Sequence, residues 1–458
     1  MKTLEEILAL SPDEAVKELK QKSVVLPEWE DLKKEYDPKE HSVMTDTSYL
    51  DVATDEGTIE KVTRISIGLQ RLAAKRTTEL CFGIPVKRIY NAQTDGEKEV
   101  AKAIEAILKR NRIETVNIER GNMLFSSCEV ATIWFATEEP NTLYGFDSRL
   151  KLRCRNYSPM NGDDIYPLYD AETDDMIALS FGYTRKNGDK DIEYLDVYTA
   201  DKHIRYVKNS GWVEEISEIS SIGKIPAVYC FRQTPAWEDT SNIVTEIEWA
   251  LSRNGNYLRR NSRPMLAVFA NEEIATEQSP ETSNQAKDVV QFPAGGDAKY
   301  IVWQQAIENL KYYVGELRQS FFTQLQLPDW SYENMKLTPM SGEARKMMFI
   351  DAQLKVKDES GRLIEMLDRE INVIKAFLKI MMPGRINDID RLLVETEITP
   401  FAVNDDKEII SNIMTATAGK AILSQREGIA NLGWSNNIEE TLRQIQEEGS
   451  FDALEPTI

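Results

Sequence analysis

Residues 304–378 read QQAIENLKYYVGELRQSFFTQLQLPDWSYENMKLTPMSGEARKMMFIDAQLKVKDESGRLIEMLDREINVIKAFL. Ile307, Leu310, Val314, Leu317 and Phe321 recur at spacings of three and four. That rhythm places one apolar seam along a helix of about 23 residues, roughly 34 Å long. The seam stops at Leu327-Pro328, because proline lacks the amide donor to continue a helix and biases the residue before it away from helical angles. Residues 328–340 are therefore expected as loop. Helix resumes at Ser341, a good N-cap, with Ala344, Met347, Leu354, Leu363, Leu367, Ile371, Ile374 and Leu378 on a drifting stripe that nothing interrupts before Pro383-Gly384. At about 38 residues, on the order of 57 Å, it is long for a globular enzyme.

A second informative helix lies upstream, over 240–261. Val244, Ile247, Leu251, Asn254 and Leu258 keep the same rhythm, with an asparagine in the seam that would help to fix register. Arg259, Arg260 and Arg263 load its C-terminal end; they suit the helix dipole there and equally suit a DNA-facing role. Pro264 ends it. Between the two seams sits a small insert with strand signals at 266–269 and 289–292, a polar excursion over 272–286 and a Gly295-Gly296 turn. Two apolar seams with few other core elements near them must bury against something, and neighbouring copies of the same helices are one answer.

Elsewhere the chain alternates helix and strand signals. Residues 1–60 are polar and acidic and read as a surface arm with one clear helix at Ser11-Pro12-Asp13-Glu14. Helices are expected over 65–80 and 97–109, then a strand over 128–135. From 150 to 213 strand runs separated by Asn161-Gly162-Asp163-Asp164 and Lys186-Asn187-Gly188-Asp189 predict an antiparallel meander, closed by a last strand at 223–229. The chain ends with a strand over 391–403, a helix over 405–418, a Ser424 N-cap opening another helix, and a Glu-rich helix over 438–448.

The chain has 458 residues, 41% of them hydrophobic, enough for several domains and a sizeable core. A net charge of −21 argues against tight gripping of nucleic acid, since that affinity comes from many Lys and Arg contacts to phosphate. Cys81, Cys128, Cys154 and Cys230 show no CxxC spacing and read as buried free thiols in a reducing compartment. Neither a signal peptide nor a membrane-length apolar run is present. Gly223-Lys224 and Gly419-Lys420 lack the glycine and hydroxyl of a phosphate-binding loop. There is no HExxH, GxGxxG or GxSxG, and only His41 and His203 supply imidazole. No cofactor is expected.

Ser341-Gly342-Glu343-Ala344, opening a long helix after a loop and an amphipathic helix, resembles the signature region of the tailed-phage portal proteins of the Gp6-like kind. Other pieces recur in that family's order: the Phe82-Gly83-Ile84-Pro85 turn after a helix, Tyr166-Pro167 before a hairpin, the Gly223-Lys224-Ile225-Pro226 strand ahead of a helix, and Ile422-Leu423-Ser424 near the end. The resemblance covers residues 60–450 by order of elements more than by dense identity. It implies an α+β portal fold and no enzyme activity. Residues 1–60 would be an N-terminal arm, 61–239 and 341–403 the two parts of a wing that includes the long channel-spanning helix, 240–263 and 304–327 the stem, 264–303 a clip, 328–340 a tunnel loop and 404–458 a crown.

The resemblance also implies a ring of about twelve copies at one capsid vertex. The large terminase subunit would drive double-stranded DNA through it, a head-completion adaptor would attach later, and capsid or scaffolding protein would surround it. The protein would belong to the virion after assembly in the host cytoplasm, with no membrane partner. Val244, Ile247, Leu251, Leu258, Ile307, Leu310, Val314, Leu317 and Phe321 would hold stems together. In the tunnel loop Trp330, Tyr332, Glu333 and Lys336 would meet DNA, although Trp330 and Tyr332 read equally as a core plug at a helix junction. The competing expectation is an intracellular α/β enzyme, a nucleotide-handling hydrolase with a helical oligomerisation arm, which oligomer size would separate from a ring.

Overall fold

A computed structural model describes residues 3–22, 24–53, 59–170, 172–188, 190–261, 265–269, 297–301, 307–329, 350–400, 406–417, 423–432 and 438–452. It is an α+β fold in layers. Helices α1 (Leu4–Leu8), α2 (Pro12–Leu19), α3 (Trp29–Tyr36) and α4 (Ser42–Thr45) fill the segment expected as a surface arm with one helix. That expectation is corrected. Ile7, Val16 and Leu19 are buried against Ala178, Leu195, Val197, Ile204 and Tyr206 of a sheet, and Leu32 joins the main core. High local charge hid a short apolar stripe. Ser11 does precede α2, but its hydroxyl donates to the Glu14 carboxylate at 3.0 Å rather than capping the backbone.

Strands β1 (Val52–Ala53) and β2 (Ile59–Glu60) pair with each other, and α5 (Leu69–Phe82), β3 (Lys87–Asn91), α6 (Asp95–Arg110) and α7 (Ile113–Ser127) follow. Thr94 and Glu97 form a reciprocal capping box at the start of α6. The next strands are β4 (Glu129–Asn141), β5 (Ser148–Tyr157), β6 (Asp164–Tyr169), β7 (Met176–Asn187), β8 (Lys190–Thr199), β9 (Lys202–Lys208), β10 (Trp212–Ile219) and β11 (Ala227–Phe231). Strands β6 to β9 make the expected meander, and β10, which was not expected, extends it in the order β10-β9-β8-β7-β6.

Two strands assigned to the meander belong elsewhere. β5, which carries Cys154, pairs with β4, and the closing strand at 227–231 pairs with β4 on its other edge, Tyr229 opposite Ala131. The three-stranded sheet β11-β4-β5 is covered on both faces, so β4 is buried from Glu129 to Trp134 instead of alternating. Ala131, Ile133, Ala227 and Tyr229 face the meander through Leu179 and Phe181, whereas Val130, Trp134, Val228 and Cys230 face the helices. Adjacent strand residues point to opposite faces, so one strand serves both layers.

The remaining elements are α8 (Ser241–Asn261), the antiparallel pair β12 (Met265–Phe269) and β13 (Asp297–Ile301), α9 (Ile307–Gln324), and α10 (Ile350–Met381), followed by a short helix Ile386–Arg391 and β14 (Leu393–Glu397). Strand β12 matches the expected strand at 266–269, but its partner is 297–301; the strand expected at 289–292 lies outside the described residues. So does the Ser341 start of the long helix, which is described from Ile350 and ends just before Pro383 as anticipated. β14 returns to pair with β3, Thr396 opposite Arg88. Three terminal helices, Asp406–Thr417, Gln425–Leu432 and Ile438–Asp452, close the described chain, the second entered through a Ser424–Glu427 capping box.

One polar knot sits in the apolar main core. Arg120 of α7 donates to both carboxylate oxygens of Glu370 on α10, at 2.8 and 3.0 Å, with both side chains fully buried. Trp134 Nε1 of β4 donates to the same carboxylate at 3.1 Å, and Asn117 Oδ1 takes a further bond from Arg120. A bidentate pair of this kind ties helix, sheet and long helix into one register, although Arg120 Nε is buried without a partner.

Candidate assembly surface

The seam helices α8 and α9 pack on one another, and the β12–β13 ladder, Met265 opposite Ile301, closes the end at which the chain turns back. Their mutual seam is graded. At the base Val244, Ile247 and Phe321 are buried in the main core, with Phe321 edge-on to Phe322 at 5.4 Å. In the middle Leu251, Val314 and Leu317 are half-buried against that core. Farther out Leu310 is half-buried and Leu258 is 48% exposed. The side chain of Ile307 lies outside the described residues. So the structure brings most of the expected stem residues together within one subunit, and leaves apolar surface open only toward the β12–β13 end.

The other side of α8 holds a feature that the apolar rhythm hides. Glu248, Ser252 and Asn256 stand four residues apart and accept the backbone amides of Ile67, Ile65 and Thr63 in turn, the first two at 2.7 and 2.9 Å. Four helical residues advance about 6.0 Å and two extended residues about 6.7 Å, so the two rows stay in step. Gly255 lets the chain come this close, because a Cβ there would stand 2.8 Å from the Thr63 methyl. Polar residues at a spacing of four on a helix otherwise rich in them carry little sequence signal.

At the foot of the same helix Glu248 also meets His41, whose Nδ1 lies 2.7 Å from its carboxylate while Nε2 lies 2.7 Å from the Glu35 carbonyl. Both ring nitrogens face acceptors, which suits the doubly protonated ring. Burial opposes that charge most strongly of any single influence, but the Glu248 carboxylate, the Glu35 carbonyl and Asp37 together outweigh it and hold the pKa of His41 above the usual imidazole value.

A family model described as phage portal protein, SPP1 Gp6-like, matches residues 17–453. The chain belongs to that portal protein family. The match spans nearly all of the elements above, from α2 to α10 and the terminal helices. Among solved structures, a chain described as "Neck of empty GTA particle computed with C6 symmetry" is similar at 11% identity, with a TM-score of 0.41 over 87% of this chain and 95% of that one. No curated protein matches.

The family is structural rather than enzymatic, and the hydrolase alternative gives way to it. The portal protein's four cysteines are free, and burial pushes each thiol up to about 12, where it stays protonated. Among the described residues no group of three His, Cys, Asp or Glu could hold a metal ion, and no helix is long and apolar enough to cross a membrane. Trp330, Tyr332, Glu333 and Lys336 lie outside the described residues. The chain entering that segment is anchored. The Leu325 carbonyl accepts from Lys355 Nζ of α10 at 2.6 Å, the Pro328 carbonyl from Arg76 at 3.4 Å, and Asp329 pairs with Arg318 at 3.3 Å. Burial beside Arg232 lowers Lys355 to about 8.

Proposed function

We propose that this portal protein closes into a ring whose central channel passes double-stranded DNA at one capsid vertex. In this reading α8 and α9 form a two-helix stem, residues 264–303 a clip that docks the large terminase subunit, the sheet layers with α5 to α7 and α10 a wing, and the terminal helices a crown. The segment after Asp329 would reach the channel, with Trp330, Tyr332, Glu333 and Lys336 as its DNA-facing residues, and a head-completion adaptor would later take the place of the motor.

The observation that carries this reading is the graded seam. A helix pair meant only to fold its own subunit would bury its apolar stripe along its whole length, yet here the stripe opens from buried Phe321 outward to half-buried Leu310 and to Leu258, 48% exposed. Surface of that kind is covered by an identical neighbour at low cost in a ring, where one heterologous contact repeats until it closes. Mass photometry of the purified chain is expected to show particles many times the 52.3 kDa subunit. Leu310→Asp should shift that population to free subunits, because a charge cannot be desolvated in the seam without a partner. Wild-type protein that stays monomeric or dimeric under every condition sinks the ring.

A further inference from the structure

Along β5, Arg149, Lys151, Arg153 and Arg155 occupy every second position. Successive side chains of a strand alternate faces, so these cations share one face as a row roughly 20 Å long. On the neighbouring strand Phe135 stands opposite Arg153 on that face and is 40% exposed. Glu139 of β4 pairs with Lys151 at 2.9 Å and with Arg153 at 2.6 Å, one carboxylate against two cations. Arg155 lies over the Tyr157 ring at 4.7 Å, and among the described residues no carboxylate pairs with Arg149. The row therefore keeps an excess of reachable positive charge, with Arg149, Arg153 and Arg155 exposed, on a chain whose net charge is −21. Contact with it is made through side chains. The Leu152 amide and carbonyl are already taken, by the Tyr144 hydroxyl at 3.0 Å and Asn111 at 3.2 Å, which closes β5 to a further strand.

The same chain builds the opposite charge into a rigid turn. Between β6 and β7, Asp170 accepts the amides of Glu172 and Thr173 at 2.9 and 3.1 Å, and its own amide donates to the Asp175 carbonyl at 2.8 Å. Asp174 takes left-handed geometry there (φ 56°). Those bonds occupy Asp170 and leave Glu172, Asp174 and Asp175 exposed.

The two patches lie on different flanks of the five-stranded sheet, because β4 crosses it. Ala131 and Ile133 pack against Leu179 and Phe181 of β7, whereas Phe135 shares a cleft of about 390 Å³ with His203 of β9 and with Glu218 and Ile219 of β10. The outer half of the β4–β5 hairpin, with Lys151 and Arg149, thus continues beyond the β10 side, while the acidic turn hangs from the β6 side. A contact between unlike patches on opposite flanks repeats from copy to copy, and a ring is its closed form.

We infer that the acidic β6–β7 turn of one copy docks on the basic row of β5 in the next. Exposed carboxylates of the turn meet cations spaced about 6.8 Å apart, and such complementarity sets register and speed of encounter more than raw affinity. The inference rests on the ring proposed above and adds to it a charged contact away from α8 and α9.

The test is charge reversal and its rescue, read as the concentration of half-assembly. Glu172→Lys with Asp175→Lys, and separately Arg149→Glu with Arg153→Glu, should each raise it at least about tenfold, and all of these changes in one chain should return it to within about threefold of wild type. Rescue separates a contact from damage to the subunit, since independent injuries add. In a chain carrying Arg149→Cys and Asp175→Cys, oxidation of the assembled protein should link neighbours into ladders on a denaturing gel. Reversals that assemble like wild type, or a combined variant no better than the worse pair, overturn the contact and leave the ring standing. A reversed row that spares assembly but lowers the DNA retained by filled particles gives the row to phosphate and overturns the contact equally. Wild-type protein that never assembles removes both.

Discussion

Glu370 shows how much one side chain can hold. Replacing it with alanine leaves Arg120 charged and buried with only Asn117 for company, and loss of about 3–5 kcal/mol is expected in urea unfolding. The double variant Arg120→Met with Glu370→Leu should lose far less, because the cost lies in the orphaned charge more than in the missing bond. His41 makes a different prediction. Its pKa is higher folded than unfolded, so the pair with Glu248 adds stability that is complete below about pH 6.5 and fades as pH rises through the folded value. Melting temperatures of wild type and His41→Gln should therefore converge on going from pH 6 to pH 9. A constant gap would show that the ring stays neutral. Neither pair was legible in the sequence. Arg120 and Glu370 sit among other charges on helices that look solvated, and His41 lies in a stretch whose acidity suggested surface.

Two glycines in the long helices separate interior from exterior. In α8 a Cβ on Gly255 would strike the Thr63 methyl at 2.8 Å, while in α10 a Cβ on Gly361 would meet nothing within 4 Å. Gly255→Ala should cost about 1–3 kcal/mol by forcing the 61–67 segment off the helix; Gly361→Ala should add about 0.5–1 kcal/mol by removing a flexible residue from a helix interior. Opposite shifts in thermal melting of the two variants check the pair, and equal shifts would refute the polar ladder on α8. Several helices, though not α1, α3, α4 and α7, were read from spacing and caps, as with Ile307–Gln324, Asp406–Thr417 and the Ser424 start. Their local periodicity needs no knowledge of what lies opposite. Of the strands, β1, β2, β10 and β13 were not expected, and β5 and β11 were given the wrong neighbours, since a strand's partner is decided by the packing of both its faces and leaves no local mark.

At the scale of the whole molecule the order of elements pointed to the portal family, while the arm's burial, the placement of the β5 cations and the sheet pairings needed three dimensions. The last of these has a consequence in time. β3 waits for β14, with Lys87 and Glu397 separated by 310 residues, and Arg120 waits 250 residues for Glu370. On a ribosome adding ~5–20 residues per second, that is a delay of ~15–60 s during which the first half of the chain has an open strand edge and a charge with no counterpart. Chains stopped at Met382 are expected to be degraded by added protease at once, and chains stopped at Pro400 to resist it; equal resistance would show that the return strand does not complete the fold around β3. A polypeptide cut short by premature release would then be cleared before it could take a place in a ring, so the late-returning strand acts as a proofreader of finished synthesis.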